Sequence, residues 1–123
     1  MPRASAAVKA LPQSIKDVIA AAQDRKALEL VVLDLRKALG FTDYFVICSG
    51  GNPKQIKAIA EAVESALKTS GVRPNHLEGY EHASWILVDC FDFVVHIFSQ
   101  PSRAFYDLER LWGDAKRIEF FAK

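Results

Sequence analysis

The chain has 123 residues, enough for one ordinary domain and too few for two. Half of it is hydrophobic and a quarter is charged, which suits a buried core and excludes disorder throughout. Sixteen basic residues against fifteen acidic ones leave a net charge of +1, so the global field of a general nucleic-acid binder is excluded.

Residues 1–12, closed by Pro12, read as a loose arm. No apolar h-region follows Met1, so no secretory signal is expected, while Arg3, Ala4 and Ser5 leave an organellar leader open. Ser14 and Asp17 have the spacing of a capping box, and Ile15, Val18, Ile19 and Ala22 share one helical face. LELVVLDL, Leu28 to Leu35, reads as a strand, and residues 36–40 as a turn. A second strand, Asp43 to Ser49, follows closely enough to pair antiparallel with the first. Asn52 and Pro53 then open a helix whose stripe is Ile56, Ile59, Ala60, Val63 and Leu67, with Gly71 as its stop.

Asn75 to Gly79 reads as a short edge strand. WILVDCFDFVVHIF, Trp85 to Phe98, is the densest stretch, two apolar strands around a tight turn at Asp89-Cys90-Phe91-Asp92. Their nearly continuous apolar character predicts cover on both faces. Ser99 or Gln100 caps a last helix, for which Phe105, Leu108 and Leu111 or Trp112 are the expected buried stripe. A single domain over 13–113 and a tail over 114–123 complete the organisation. The fold expected is a small α/β (α+β) domain, a mixed sheet of about five strands with helices packed on it.

Charge is unevenly placed. Residues 1–26 carry five bases and two acids, whereas residues 72–99 carry Arg73 against Glu78, Glu81, Asp89 and Asp92. An acidic sheet repels a phosphate backbone and suits a basic protein partner. Cys48 and Cys90 lack a C-x-x-C pattern and read as free core thiols of a reducing compartment. No apolar run reaches the roughly 20 residues of a transmembrane helix.

The glycine turn Gly50-Gly51-Asn52-Pro53-Lys54 invites a phosphate. It matches neither a Walker A loop nor a dinucleotide fingerprint, and Pro53 removes one N–H that would face the anion. A nucleotidyltransferase, the alternative reading, needs two acids on one strand face; Asp89 and Asp92 straddle a turn. His76, His82 and His96 have no zinc-like spacing, and His96, between Val95 and Ile97, reads as a neutral core or interface histidine. A third class, direct RNA binding, finds no Arg-rich or aromatic RNA-recognition motif. Trp85 reads as core or contact surface, and Tyr106, off the helical stripe, as outward-facing. Exposed Trp and Tyr beside acids suit a protein-binding patch.

TDYFVICSG at Thr42–Gly50, WILVDCFDFVVHIF at Trp85–Phe98 and RAFYDLERLW at Arg103–Trp112, in that order, resemble the ribosomal silencing factor family, also called Iojap-like. The resemblance runs from about Ser14 to Trp112. It implies a nucleotidyltransferase-like fold without a working transferase site, and a non-enzymatic role with no cofactor or metal. It implies binding to ribosomal protein fourteen of the large ribosomal subunit, on the face that meets the small subunit. Subunit joining is thereby blocked and translation lowered when nutrients are short. It also implies a homodimer in the free state, no membrane, no direct nucleic-acid readout, and the bacterial cytoplasm ahead of an organelle interior. The contact patch it implies is Trp85, Leu87 and Asp89 of the first hairpin strand with Tyr106 and Glu109 of the last helix.

Two positions depart from the family pattern. Gly51 and Pro53 stand in the glycine turn where the family usually has other residues. Phe91 stands in the hairpin where it usually has Gly. If that turn keeps φ > 0, Phe91 carries about 1–2 kcal/mol of strain. Either the turn type differs, or an aromatic contact with a partner or dimer mate compensates.

Overall fold

A computed structural model describes residues 6–38 and 42–120. Residues 1–5 of the expected arm, residues 39–40 of the expected turn and residues 121–123 of the expected tail lie outside that set. The elements are α1 (Ala6–Lys9), α2 (Gln13–Asp24), β1 (Leu28–Asp34), β2 (Tyr44–Gly50), α3 (Pro53–Thr69), β3 (His76–Glu78), β4 (Trp85–Asp89), β5 (Phe93–Ser99), α4 (Gln100–Tyr106), α5 (Leu108–Leu111) and β6 (Lys116–Glu119).

The sheet has six strands in the order β3-β4-β5-β2-β1-β6. β2 and β5 are parallel, with Gly50 opposite Ser99, and the other pairs are antiparallel. The sixth strand comes from the stretch expected as tail: residues 116–119 pair with β1 from Asp34 to Val31. Three charged residues of its four, Lys116, Arg117 and Glu119, disguise it, because an edge strand has little to bury. Part of the expected arm is also engaged. Residues 6–9 form a helical turn, and Leu11 is buried in the core.

α2 and α3 cover one face of the sheet. Their stripes, Ile15, Val18, Ile19 and Ala22 on α2 and Ile56, Ile59, Ala60, Val63 and Leu67 on α3, are buried against Val32, Val46, Ile86, Val95 and Ile97. The predicted capping box at the start of α2 does not form. Pro12 occupies the N-cap, and Asp17 instead accepts from Ser70 Oγ at the end of α3 and from Gln13 Nε2.

The opposite face is covered unevenly. Val31, Leu33, Leu35, Phe45, Ile47, Val94 and Phe98 form its core, closed by Leu108, Trp112 and Ala115. The expected stripe on the last helix is half wrong. Asp107 takes a left-handed conformation at φ 46 and splits the segment into α4 and α5. The break resets the helical phase, so Leu108 and Trp112 pack inward while Phe105 and Leu111 are 79% and 71% exposed. Cover by α4 and α5 stops short of β4. That strand alternates, with Ile86 and Val88 buried beneath α3 and Trp85, Leu87 and Asp89 only partly covered on the other face. The expectation of cover on both faces thus holds for β5 and fails for β4.

Candidate functional site

The glycine turn is closed by its own helix. Asn52 Oδ1 accepts from Gln55 N–H at 2.8 Å, which caps α3. Gln55 Oε1 accepts from Gly51 N–H, the donor an anion would need, and Gln55 Nε2 reaches the Arg25 and Lys26 carbonyls. Gly50 is required for close packing: a Cβ there would lie 2.7 Å from Ile56 Cγ1 and 3.2 Å from its backbone nitrogen. Asp89 and Asp92 sit at the far end of the sheet. Gly50 pairs with Ser99 and Asp89 with Val94, five residues away along β5 or about 17 Å. The turn and the acids therefore cannot share a magnesium ion. Among the described residues no cluster of His, Cys, Asp or Glu has the arrangement to hold a metal.

At the glycine end lies a small polar cavity of about 260 Å³, bounded by Ser49, Arg103, Glu109 and Arg117. Arg103 is buried and its donors are engaged. It donates to Ser49 Oγ at 2.9 Å, to the Leu28 and Glu29 carbonyls, and to both carboxylate oxygens of Glu109. Glu29, at φ 47, lies in the register shift of β1, so the guanidinium satisfies carbonyls that the bulge turns away from the ladder. Arg117 of β6 makes a second ion pair with Glu109 at 3.2 Å. This constellation ties α4, α5 and β6 to β1.

The open face at the other edge has a different character. Trp85 stacks on Phe98 with centroids 5.0 Å apart and meets Tyr106 at 4.5 Å. Its indole N–H donates to His96 Nδ1 at 3.1 Å. Trp85 is thus partly core and partly surface, its ring held in a defined pose by three neighbours. Leu87 faces His96 across the ladder, and Asp89 faces Val94. Tyr106 is 48% exposed, facing outward as its position predicts.

His96 is buried, and burial pushes its imidazole down to about 3, so it stays neutral. Because Nδ1 accepts from Trp85, the proton sits on Nε2. That nitrogen has no hydrogen-bond partner within the described residues.

Asp89 Oδ1 accepts from Phe91 N–H at 2.9 Å, forming an Asx turn at the hairpin tip. Phe91 adopts φ 78, so the turn keeps the conformation that favours glycine, and its ring is 74% exposed. Cys48 lies buried in the core, its thiol pushed up to about 12 by desolvation. Cys90 is also buried and free, likewise pushed up to about 12. Neither is poised as a nucleophile.

Of the five residues singled out in sequence, Trp85, Leu87, Asp89 and Tyr106 share this face. Glu109 does not: it is turned into the Arg103–Arg117 cluster, its side chain 14% exposed. Sequence reasoning missed the exposure of Phe105 and Leu111, which depends on the helix break at Asp107. It also missed Arg103 as a buried tie, which depends on the bulge at Glu29.

A family model described as ribosomal silencing factor during starvation matches residues 8–122. The chain is 42% identical over 99 residues to a ribosomal silencing factor of Halalkalibacterium halodurans, which covers 80% of this chain and 85% of that protein. It is 40% identical over 101 residues to a ribosomal silencing factor of Bacillus subtilis, covering 82% and 86% respectively. A crystal structure of a Chromobacterium violaceum protein superimposes with a TM-score of 0.80 at 36% identity, over 82% of this chain and 84% of that one.

Proposed function

The chain belongs to the ribosomal silencing factor family, and from that premise we propose that it occupies the large ribosomal subunit and excludes the small one. Exclusion is steric and needs no reaction. The observation that carries the proposal is the partly covered face of β4, where Trp85 and Leu87, with Tyr106 of α4, present aromatic and apolar surface beside Asp89. A large aromatic held in a fixed rotamer, on a strand face that also carries Asp89, suits a basic protein partner. We assign that partner as ribosomal protein fourteen of the large subunit. Trp85, Leu87, Asp89 and Tyr106 make the contact. Glu109 serves it indirectly, by fixing α4 and α5 through Arg103 and Arg117. The working compartment is the one that holds the ribosomes, the bacterial cytoplasm.

In the free state the same apolar face pairs with a second copy, so dimerisation and subunit binding compete. The decisive experiment sediments purified protein with free subunits through a sucrose gradient. Comigration with the large subunit and a loss of joined ribosomes are expected. Joining that proceeds unimpeded, with the protein left at the top of the gradient, overturns the proposal.

A further inference from the structure

Between β3 and β4 the chain makes a loop, residues 79–84, that feeds directly into Trp85. Two of its residues have left-handed backbones, Gly79 at φ 83 and Ala83 at φ 54. Ala83 lacks the freedom of glycine, so its surroundings must hold it there. Its N–H donates to the Gly79 carbonyl at 3.0 Å, and its side chain is buried in the core on the helix side. The loop then folds back on the strand it feeds. A Cβ at Gly79 would lie 2.0 Å from the Trp85 carbonyl oxygen, so only glycine permits that approach. At the other end of the loop the Ser84 carbonyl accepts from Ser99 N–H at 2.9 Å, and Ser99 caps α4, which carries Tyr106. The loop is also fastened to the helix layer. Tyr80 donates its hydroxyl to Glu61 of α3, Lys57 lies 5.1 Å from its ring centre, and the ring packs against the core there.

We infer that loop 79–84 is a strap that holds Trp85 in its contact pose, with Gly79 and Tyr80 as positioning residues that do not touch the partner. The inference rests on the reading of the β4 face as the contact for ribosomal protein fourteen, and it adds what sets the pose of the central aromatic from the other side of the sheet. Trp85 and Tyr106 both hang from backbone that the strap ties together, at Ser84 and Ser99. A tryptophan free to change rotamer has to be ordered on binding, and that cost is subtracted from affinity. A strap fastened before the partner arrives removes the cost. Its fastening lies on the helix side, so Tyr80, Glu61 and Lys57 act on the contact through the loop. The effect has a definite size. If the ordered pose falls to about one-fifth of the molecules, the apparent Kd rises about fivefold.

The test follows the Trp85 indole N–H by NMR in chain labelled with 15N-tryptophan, with binding to purified ribosomal protein fourteen measured on the same samples. That N–H donates to His96 Nδ1, and Trp85→Phe identifies its signal against that of Trp112. Tyr80→Leu keeps apolar bulk and loses the fastening. It is expected to move the Trp85 signal towards that of a free indole, with roughly tenfold faster exchange with water and a Kd raised roughly fivefold, while the Trp112 signal stays in place. Glu61→Ala is expected to do the same. Glu61→Gln, whose amide oxygen still accepts from the Tyr80 hydroxyl, should match the parent in both readouts. Gly79→Ala should act in the same direction and further, because its Cβ displaces the Trp85 carbonyl. Weakened binding with the Trp85 signal unmoved overturns the inference, because the loop then touches the partner itself. A moved signal with unchanged Kd overturns it, as does a Glu61→Gln variant that behaves like Glu61→Ala. In each of these cases a Trp85→Ala variant that loses affinity leaves the face assignment standing. A parent chain that does not bind overturns the inference and the face assignment together. Glu61 is exposed, so its two variants carry the test even where Gly79→Ala does not fold.

Discussion

Phe91→Gly is expected to stabilise the fold. The backbone at position 91 is held from both sides. Its N–H donates to Asp89 Oδ1 at 2.9 Å, and its carbonyl accepts from Thr42 Oγ1 at 3.3 Å. Neither bond uses the ring, so the turn persists when the ring is removed. Phenylalanine at φ 78 costs about 1–2 kcal/mol, which glycine does not incur. Glycine loses about 0.5–1 kcal/mol more backbone entropy on folding. The ring is 74% exposed, so its burial contributes little. The net expectation is a gain of about 0.5–1 kcal/mol, or about 2–5 °C in Tm for a domain of this size. Phe91→Ala keeps the strain and loses the ring, so its Tm should stay near that of the parent. Calorimetric melts of the three proteins make the comparison. A Phe91→Gly variant that melts as low as or lower than Phe91→Ala refutes the reasoning, because it would mean that the left-handed backbone at position 91 holds no strain for glycine to relieve.

The remaining predictions concern the interior. Arg103→Ala should cost about 3 kcal/mol in urea unfolding, because Glu109, Ser49 and two bulge carbonyls lose a buried partner. Arg103→Lys should not restore it, since an ammonium cannot serve the bidentate pair, and a loss below about 1 kcal/mol for the alanine variant would contradict the tie. His96 binds a proton below about 6.5 when unfolded but only near 3 when folded. As the pH drops through that window the unfolded chain takes up the proton first, so the His96 contribution lowers stability by up to about 1.4 kcal/mol per unit of pH decrease, is absent above the window and is lost in His96→Phe; equal slopes would refute the neutral assignment. Cys48 should resist a thiol reagent in the native state and react only on unfolding, so rapid native labelling would contradict its burial.

Much of the architecture is legible in the sequence, and the parts that are not share a cause. Periodicity gives α3 because its stripe and its Asn52 cap are local features. The capped glycine turn is legible for the same reason: Pro53 and Asn52 speak against an anion before Gln55 is seen to occupy the Gly51 N–H. The features that escape depend on distant elements. β6 is charged at three of its four positions and exists through its pairing with β1. The break at Asp107 needs no glycine, so no residue type announces it. The bare side of β4 follows from where α4 and α5 end, which an apolar run cannot encode. The candidate face follows this division. Trp85, Leu87 and Asp89 share a side by period-two alternation, and Tyr106 is off the helical stripe; the sequence pattern carries both. Glu109 lies within the same motif but is claimed by Arg103 and Arg117, whose approach depends on the β1 bulge and on β6.

The central claim is that the open face of β4 grips the large ribosomal subunit. The most direct measurement is the affinity of purified large subunits for the parent chain and for Trp85→Ala, each shown to melt cooperatively. A loss of about 2 kcal/mol or more, roughly 30-fold in Kd, is predicted with recovery of subunit joining. Unchanged affinity in a folded Trp85→Ala variant would contradict the claim.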